Sequence, residues 1–403
     1  MIIRILLGVA LLGTLTSTIF LSLAIAAAIR FKRRARIAAA SPQTAPLPPV
    51  SLLKPLYGVE PGLREYLESF FALDYPNFEI LFCARTADDP GLQLAREVAA
   101  NHPGVPVRFL LSGKPPVPNA RCYSLSVMAP QAAHDILVVT DSDVRVRRDF
   151  LRQVIAPFAS DEIGASTCVY RGDATGRGFW ALMEGMGMSV EMTAGVIVAD
   201  MMEGMKFTLG PCMIVRKTAL ARFGGFEKLC YYYADDFMLG NMVAASGMKV
   251  VLSGHVIDHC IVNSGFWRNF SHQWSWAKST RFSRPLGHLG TGLTFAAPFG
   301  LLGLLAGCLM HMPLVGAGLF AWAYFSRVLL CLCVGGWVVG DPAAYRYCWL
   351  YPFRDLMGAV LWAASYTSRR VGWRDDQFVL GKGGLMRKVA GPALPSPTTL
   401  PKP

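Results

Sequence analysis

Three acidic sites in this chain have the residue types and spacing for chemistry. Asp141-Ser142-Asp143 follows directly on the apolar run Ile136-Leu137-Val138-Val139-Thr140. Alternate residues on a short extended tip aim two carboxylates at one point. Such hard oxygen donors suit a divalent cation that bridges a diphosphate. Two solvated turn acids are the plainer reading, and the place at the end of a strand favours the functional one. Asp88-Asp89-Pro90 stands a few residues after a second apolar run, where Asp before Pro is also ordinary turn chemistry. Asp235-Asp236 follows Tyr231-Tyr232-Tyr233-Ala234 and precedes Phe237-Met238-Leu239. An acidic pair there suits a helix N-terminus. The aromatic neighbours equally suit a pocket around a general base.

A fourth stretch runs from His272 through Gln273, Trp274, Ser275, Trp276, Ala277 and Lys278 to Arg281. It reads as an amphipathic helix with Trp and Lys at headgroup level. Its polar residues also suit an anionic phosphate, and the two readings are compatible. No P-loop, HExxH, GxSxG or GxGxxG stands at a strand–helix junction. Nucleotide hydrolysis, zinc proteolysis and dinucleotide redox chemistry are thereby disfavoured.

The elements that position these residues alternate. Val50–Leu53, Phe78–Cys83, Val107–Leu111, Ile136–Thr140 and Ile163–Tyr170 read as strands. Gly62–Leu73, Gly91–Ala100 and Phe150–Phe158 read as helices. Strands separated by helices imply an α/β domain with a mostly parallel sheet, covered on both faces. Ligands of such sheets bind beyond the carboxyl ends of the strands, where the acidic sites fall. This domain is expected over residues 50–290, after a linker at 37–49 rich in Ala and Pro. No internal repeat is found. The Pro-rich end, Pro392–Pro403, reads as disordered.

The remainder is apolar. Of 403 residues 53% are hydrophobic and only 16% charged, which excludes a disordered chain and is greasy for a soluble one. The formal charge of +12 raises nucleic acid as a partner. A nucleic-acid binder carries its basic residues on a polar domain, whereas here several flank hydrophobic runs, so no nucleic acid is expected. The ten cysteines include no CxxC pair, so neither zinc nor a disulfide scaffold is indicated. Ile5–Ile29 is an uncharged run of 25 residues, long enough to cross roughly 30 Å of hydrocarbon. Arg30, Lys32, Arg33, Arg34 and Arg36 follow it, which favours an uncleaved anchor with its basic flank (1–36) in the cytoplasm. Thr291–Met310, Leu314–Gly340 and Trp349–Tyr366 are further apolar runs within 291–366. Arg327 lies inside the middle one, where a charge is expensive. Four crossings would put the basic tail, 367–403, outside, against the positive-inside rule. One C-terminal run is therefore expected to be interfacial or re-entrant, leaving two to three crossings.

Together these stretches resemble the ceramide glucosyltransferases, membrane-bound glycosyltransferases of the GT-A (Rossmann-like) fold. Ser51-Leu52-Leu53-Lys54-Pro55-Leu56 is similar to that family's opening strand. Leu73-Asp74-Tyr75-Pro76, Asp88-Asp89-Pro90, Asp141-Ser142-Asp143, Asp235-Asp236, the Trp276 region and Trp373-Arg374 follow in the expected order. The resemblance covers roughly residues 50 to 290 and part of the tail. It implies a pattern of three aspartate sites followed by (Q/R)xxRW. Asp89 would contact the uridine nucleotide. Asp141 and Asp143 would hold Mg²⁺ or Mn²⁺ on the diphosphate. Asp236 would be the general base and Trp276 the closing aromatic. Asn119 and Arg121 fall where related enzymes hold the nucleotide. Two residues depart from the pattern: His272 stands in place of Gln or Arg, and Ser275 in place of Arg. Either Lys278, one turn on, or Arg281 is expected to substitute for that missing charge, or the site manages with less positive charge.

The activity this implies is an inverting transfer of a sugar, most simply from UDP-glucose, to the hydroxyl of a membrane lipid such as ceramide. The partners are then a UDP-sugar, the lipid and the bilayer. A hopanoid or other lipid glycosyltransferase using UDP-N-acetylglucosamine is the nearest alternative, and a non-catalytic membrane scaffold is one of another class. A polymer synthase is disfavoured by the small number of C-terminal runs, and a transporter by the large polar domain.

Overall fold

The apolar runs that read as strands pair into one sheet in the computed structural model, which describes residues 1–40, 47–262, 265–373 and 376–389. β1 (Val50–Pro55), β2 (Phe78–Ala84), β3 (Val107–Leu111), β4 (Ile136–Thr140), β5 (Val144–Arg145), β6 (Ile163–Asp173), β7 (Cys212–Arg216) and β8 (Lys249–Cys260) stand in the order β3-β2-β1-β4-β7-β6-β8-β5. β1 is parallel to β2 and β4, and β2 is parallel to β3. From β4 onward the pairing changes, because β7 runs antiparallel to both β4 and β6. The sheet is thus mixed, and parallel only in its first half. β1 and β4 have no exposed position. That is why they read as continuous apolar runs rather than alternating ones. The strand order reverses direction between β1 and β4, and the crevice at such a switch point is where ligands bind. This is the GT-A layout.

The contact pattern divides the chain into two units. The α/β unit takes Arg34–Tyr170, Glu203–Val262 and the segment from Arg370. The helical unit takes Met1–Arg33, Arg171–Met202 and Asn263–Arg369. Sequence reading placed one domain over 50–290; the fold hands 171–202 and 263–290 to the helical unit. Of the expected linker, 41–46 lies outside the described residues, as does Pro392–Pro403.

Five helices begin the chain order: α1 (Ile2–Ala40), α2 (Leu63–Phe71), α3 (Pro90–Ala100), α4 (Ala120–Gln131) and α5 (Phe150–Ile155). Asp89 caps α3, its Oδ1 accepting from the N–H groups of Gly91 and Leu92, and Pro90 takes the first helical turn. Both are standard helix-start signals. Asn119 caps α4 in the same way, accepting from the Cys122 N–H at 2.9 Å. Then come α6 (Phe179–Glu203), α7 (Asp235–Ala245), α8 (Phe266–Ser283), α9 (Ala297–Leu309), α10 (Pro313–Val339) and α11 (Tyr351–Ala364). The tail from Arg370 contributes an antiparallel sheet to the α/β unit: β9 (Arg370–Trp373), β10 (Asp376–Leu380) and β11 (Met386–Lys388). Leu385 bridges to Tyr232, and Met386 N–H donates to the Tyr231 carbonyl. The tail therefore braces the loop that leads into Asp235.

Among the described residues three helices are long and apolar enough to cross a membrane: Ile2–Ala38, Phe179–Glu203 and Pro313–Val339. α6 is an unforeseen member of this set. α9 and α11, with 13 and 14 residues, extend only about 20 Å. That is short of the roughly 30 Å of a hydrocarbon core. Two of the three C-terminal runs are thus too short to cross as straight helices. α9 and α10 approach closely at Gly307 and Gly316, where a Cβ on Gly307 would lie 2.7 Å from the Gly316 Cα. Small residues permit such contact between apolar helices.

Candidate active site

The register of β1 against β4 sets Lys54 beside Thr140, one residue before Asp141. Lys54 is fully buried, and its ammonium donates to Thr140 Oγ1 and to the Asp141 carbonyl, both at 3.0 Å. It also lies 3.6 Å from the centre of the Phe70 ring. Burial pushes Lys54 down to about 7, against the opposing pull of Asp141 and Asp143. A cation under the loop thus steadies the peptide that carries the first carboxylate. Asp141 Oδ1 accepts from Arg121 Nε at 2.7 Å. Burial raises the Asp141 carboxyl, Arg121 opposes the shift and Asp143 adds to it. Asp143 Oδ2 lies 3.0 Å from His259 Nε2. Glu60, in the loop after β1, accepts from the Ser142 hydroxyl at 3.3 Å. Burial, and then Asp143, push Glu60 up to about 7.

The second half of the site comes from the start of α7 and the turn before β7. Asp236 Oδ2 accepts from the Gly210 N–H at 2.7 Å, and its Oδ1 from the Phe237 N–H at 2.8 Å. A Cβ built on Gly210 would lie 3.2 Å from Asp236 Oδ2 and 3.9 Å from Asp141 Oδ2. Both carboxylates therefore face the bare side of one glycine. Each oxygen of a carboxylate can accept more than one hydrogen bond, so Asp236 keeps capacity for a proton. Its carboxyl is pushed up to about 6, first by burial and then by the charge of Asp235. Asp235 itself accepts from Arg121 Nη1 at 2.5 Å, and Arg121 Nη2 donates to the Gly210 carbonyl at 2.8 Å. Burial works against the Arg121 charge, and Asp141 and Asp235 more than offset it.

Asp89 and Asn119 join this unit through structural bonds. Asp89 accepts from the Gly58 N–H, at 3.0 Å to Oδ2, and so ties the loop after β1 to α3. Asn119 donates from Nδ2 to the Tyr232 carbonyl at 3.0 Å, tying α4 to the loop before Asp235.

Among the described residues no three metal-ligating groups already converge on one point. The donor set nevertheless fits a hard divalent cation. Mg²⁺ and its kin are held by one or two carboxylates, with substrate phosphates completing the shell. Asp141 Oδ2 and Asp143 would supply the carboxylates, oxygen donors of the kind Mg²⁺ and Mn²⁺ take.

The model of glycosyl transferase family 21 matches residues 14–386. The chain belongs to that family. The transferase is 25% identical over 351 residues to ceramide glucosyltransferase 1 of Caenorhabditis elegans, covering 85% of this chain and 73% of that protein. It is 24% identical over 347 residues to ceramide glucosyltransferase 3 of the same organism, covering 84% and 74%. Among solved structures, a mannosyltransferase from Pyrobaculum calidifontis in complex with GDP-Man and Mn²⁺ is similar at a TM-score of 0.45 and 18% identity, over 86% of this chain and 99% of that one.

The remaining expected residues of the transferase lie in the helical unit, on α8. His272 Nδ1 is 2.8 Å from Glu184 Oε1, and its ring packs on Trp276 with centroids 4.3 Å apart. Glu184, itself buried, also accepts from Asn269. Lys278 is buried, with its ammonium 3.9 Å from the centre of the Trp274 ring. Ser275 stays partly exposed, its hydroxyl donating to the Ser271 carbonyl at 3.0 Å. Ser275 is thus half-buried and Lys278 buried, one turn apart on the same helix. Around the acidic residues the α/β unit also places Lys54, Glu60, Gly210, Asp235 and His259, and within the helical unit Glu184 holds His272. Only Lys54 had a clear signal, a lysine inside an apolar strand.

Proposed function

We infer that the transferase moves a sugar, most simply the glucose of UDP-glucose, to a hydroxyl of a membrane lipid such as ceramide, with inversion at the anomeric carbon. The observation that carries this reading is the approach of Asp236 Oδ2 and Asp141 Oδ2 to the bare face of Gly210. A proton acceptor and a cation-binding carboxylate then flank one small space. The lipid as acceptor is supported by the helices long and apolar enough to cross a membrane and by the names of the relatives.

In this reading Asp141 and Asp143 hold Mg²⁺ or Mn²⁺, which when bound offsets the charge of the departing diphosphate. Asp236 takes the proton of the lipid hydroxyl. The hydroxyl oxygen bonds to the anomeric carbon as the bond from that carbon to the diphosphate oxygen breaks. UDP leaves with the electron pair, so no covalent enzyme intermediate forms. Lys54 holds the Asp141 peptide still through this exchange. Asp89 and Asn119 lie on the nucleotide's side. The flank Arg30–Arg36 and the α/β unit face the cytoplasm, where UDP-sugars are found.

The test is incubation of membranes containing the protein with UDP-glucose or UDP-N-acetylglucosamine, followed by mass analysis of the lipids. A hexose added to a lipid supports the reading. An N-acetylhexosamine product would move it to the alternative donor, and no glycolipid from either donor would refute it.

A further inference from the structure

Arg121 makes three charge-assisted bonds to three segments distant in the chain: Asp141 after β4, Asp235 at the start of α7, and the Gly210 carbonyl before β7. The guanidinium fork is planar and rigid, so fixing one end of it fixes the other. Its Nε holds Asp141 Oδ1, while Asp141 Oδ2 is the oxygen that faces Gly210 opposite Asp236. Asp235 is nearly buried and sits one residue before Asp236. The Gly210 peptide is gripped from both sides, its carbonyl by Arg121 and its N–H by Asp236.

We propose that Asp235 is a positioning residue that acts through Arg121 as a strut, setting the cation-binding oxygen of Asp141 and the base Asp236 in one fixed geometry. This rests on the reading of the site given above. It assigns Arg121 to the protein's own carboxylates rather than to the nucleotide, and it gives Asp235 a task separate from that of Asp236. A point charge cannot replace the fork, since a lysine ammonium at this site does not reach three acceptors in fixed directions.

The test is a double-mutant cycle on the full chain in detergent, with Asp235→Asn, Arg121→Lys and the pair together. Binding of Mn²⁺ in the presence of UDP is read by electron paramagnetic resonance, and metal-free UDP binding by calorimetry. The strut predicts that each single change weakens Mn²⁺·UDP binding by about tenfold and that the double change is no worse than either, as expected for groups that act as one unit. Metal-free UDP affinity and the thermal unfolding midpoint should stay near those of the wild type. Multiplicative effects would overturn the proposal, as would single variants that bind Mn²⁺·UDP normally. Equal loss of metal-free UDP binding in Arg121→Lys would make Arg121 a nucleotide ligand instead. Sugar transfer by the wild type is measured alongside. Its absence with a non-additive cycle would refute the lipid-transfer reading and leave the strut standing.

Discussion

Each of the two units buries an arginine among carboxylates, and the two clusters differ in what surrounds them. In the α/β unit Arg121 meets Asp141 and Asp235 with side-chain exposures of 13%, 29% and 7%. In the helical unit Arg327 meets Asp355 at 3.4 Å, with exposures of 2% and 4%. Arg327 also donates to the carbonyls of Thr294 and Ser17, and Asp355 Oδ2 accepts from the N–H groups of Ala296 and Ala297 at the start of α9. The closed cluster spends its bonds on backbone and so ties α1, α9, α10 and α11 to one another. The open one leaves a carboxylate oxygen facing an open glycine. Burial alone does not mark a functional charge. What marks it is an oxygen or nitrogen left oriented toward space that a ligand can enter.

The comparison is broken most severely by removing divalent cations. EDTA should abolish transfer, and Mg²⁺ or Mn²⁺ should restore it; full turnover in excess EDTA would remove Asp141 and Asp143 from the chemistry. Next comes Arg327→Met, which leaves Asp355 buried without its cation. Breaking such a pair typically costs about 3–5 kcal/mol. The thermal unfolding midpoint should fall sharply, while Mn²⁺·UDP affinity below the transition stays near that of the wild type. An unchanged midpoint would show that the closed cluster does not hold the helices.

A smaller effect is expected from pH. As the proposed base Asp236 would work deprotonated, and burial pushes its carboxyl up to about 6. Below that pH the base is protonated, so kcat/KM should lose roughly tenfold per unit. A profile flat down to pH 4.5 would place the base elsewhere. The smallest effect belongs to Lys278→Ala. Its ammonium rests on Trp274, a contact worth roughly 0.5–2 kcal/mol. Lys278→Ala should lower stability modestly, and Ser275→Arg should not rescue it, because an arginine at 275 does not restore the contact with Trp274. Rescue of donor KM by Ser275→Arg would restore the idea that Lys278 substitutes for the missing arginine.

The sequence made the first half of the sheet plain. β4 is buried throughout, so it stands out as an apolar run, and the aspartates after it stand out with it. α4 was hidden: Ala120–Gln131 carries Ser124, Ser126, Cys122 and Tyr123, weak helix formers, and ends near Pro130. α6 was hidden for another reason, since Glu184 and Glu191 interrupt its apolar character. Their partners are His272 and Asn269 for the one and Arg354 for the other, all far along the chain. The partners of Arg121 and the place of His259 were out of reach for the same reason. Tertiary pairing decides them, and no local spacing encodes it. Asp89 was legible as a turn residue before a helix, whereas the cap made by Asn119 was hidden along with α4, and the fold adds the loops the two tie together.

In the proposed division of labour Asp141 and Asp143 hold the cation and nucleotide and Asp236 takes the proton. Transfer and Mn²⁺·UDP binding measured side by side in Asp236→Asn test it most directly. Transfer should fall by about 10²–10⁴-fold while binding stays within about twofold of the wild type. Turnover at the wild-type rate, or loss of binding in step with loss of transfer, would contradict it.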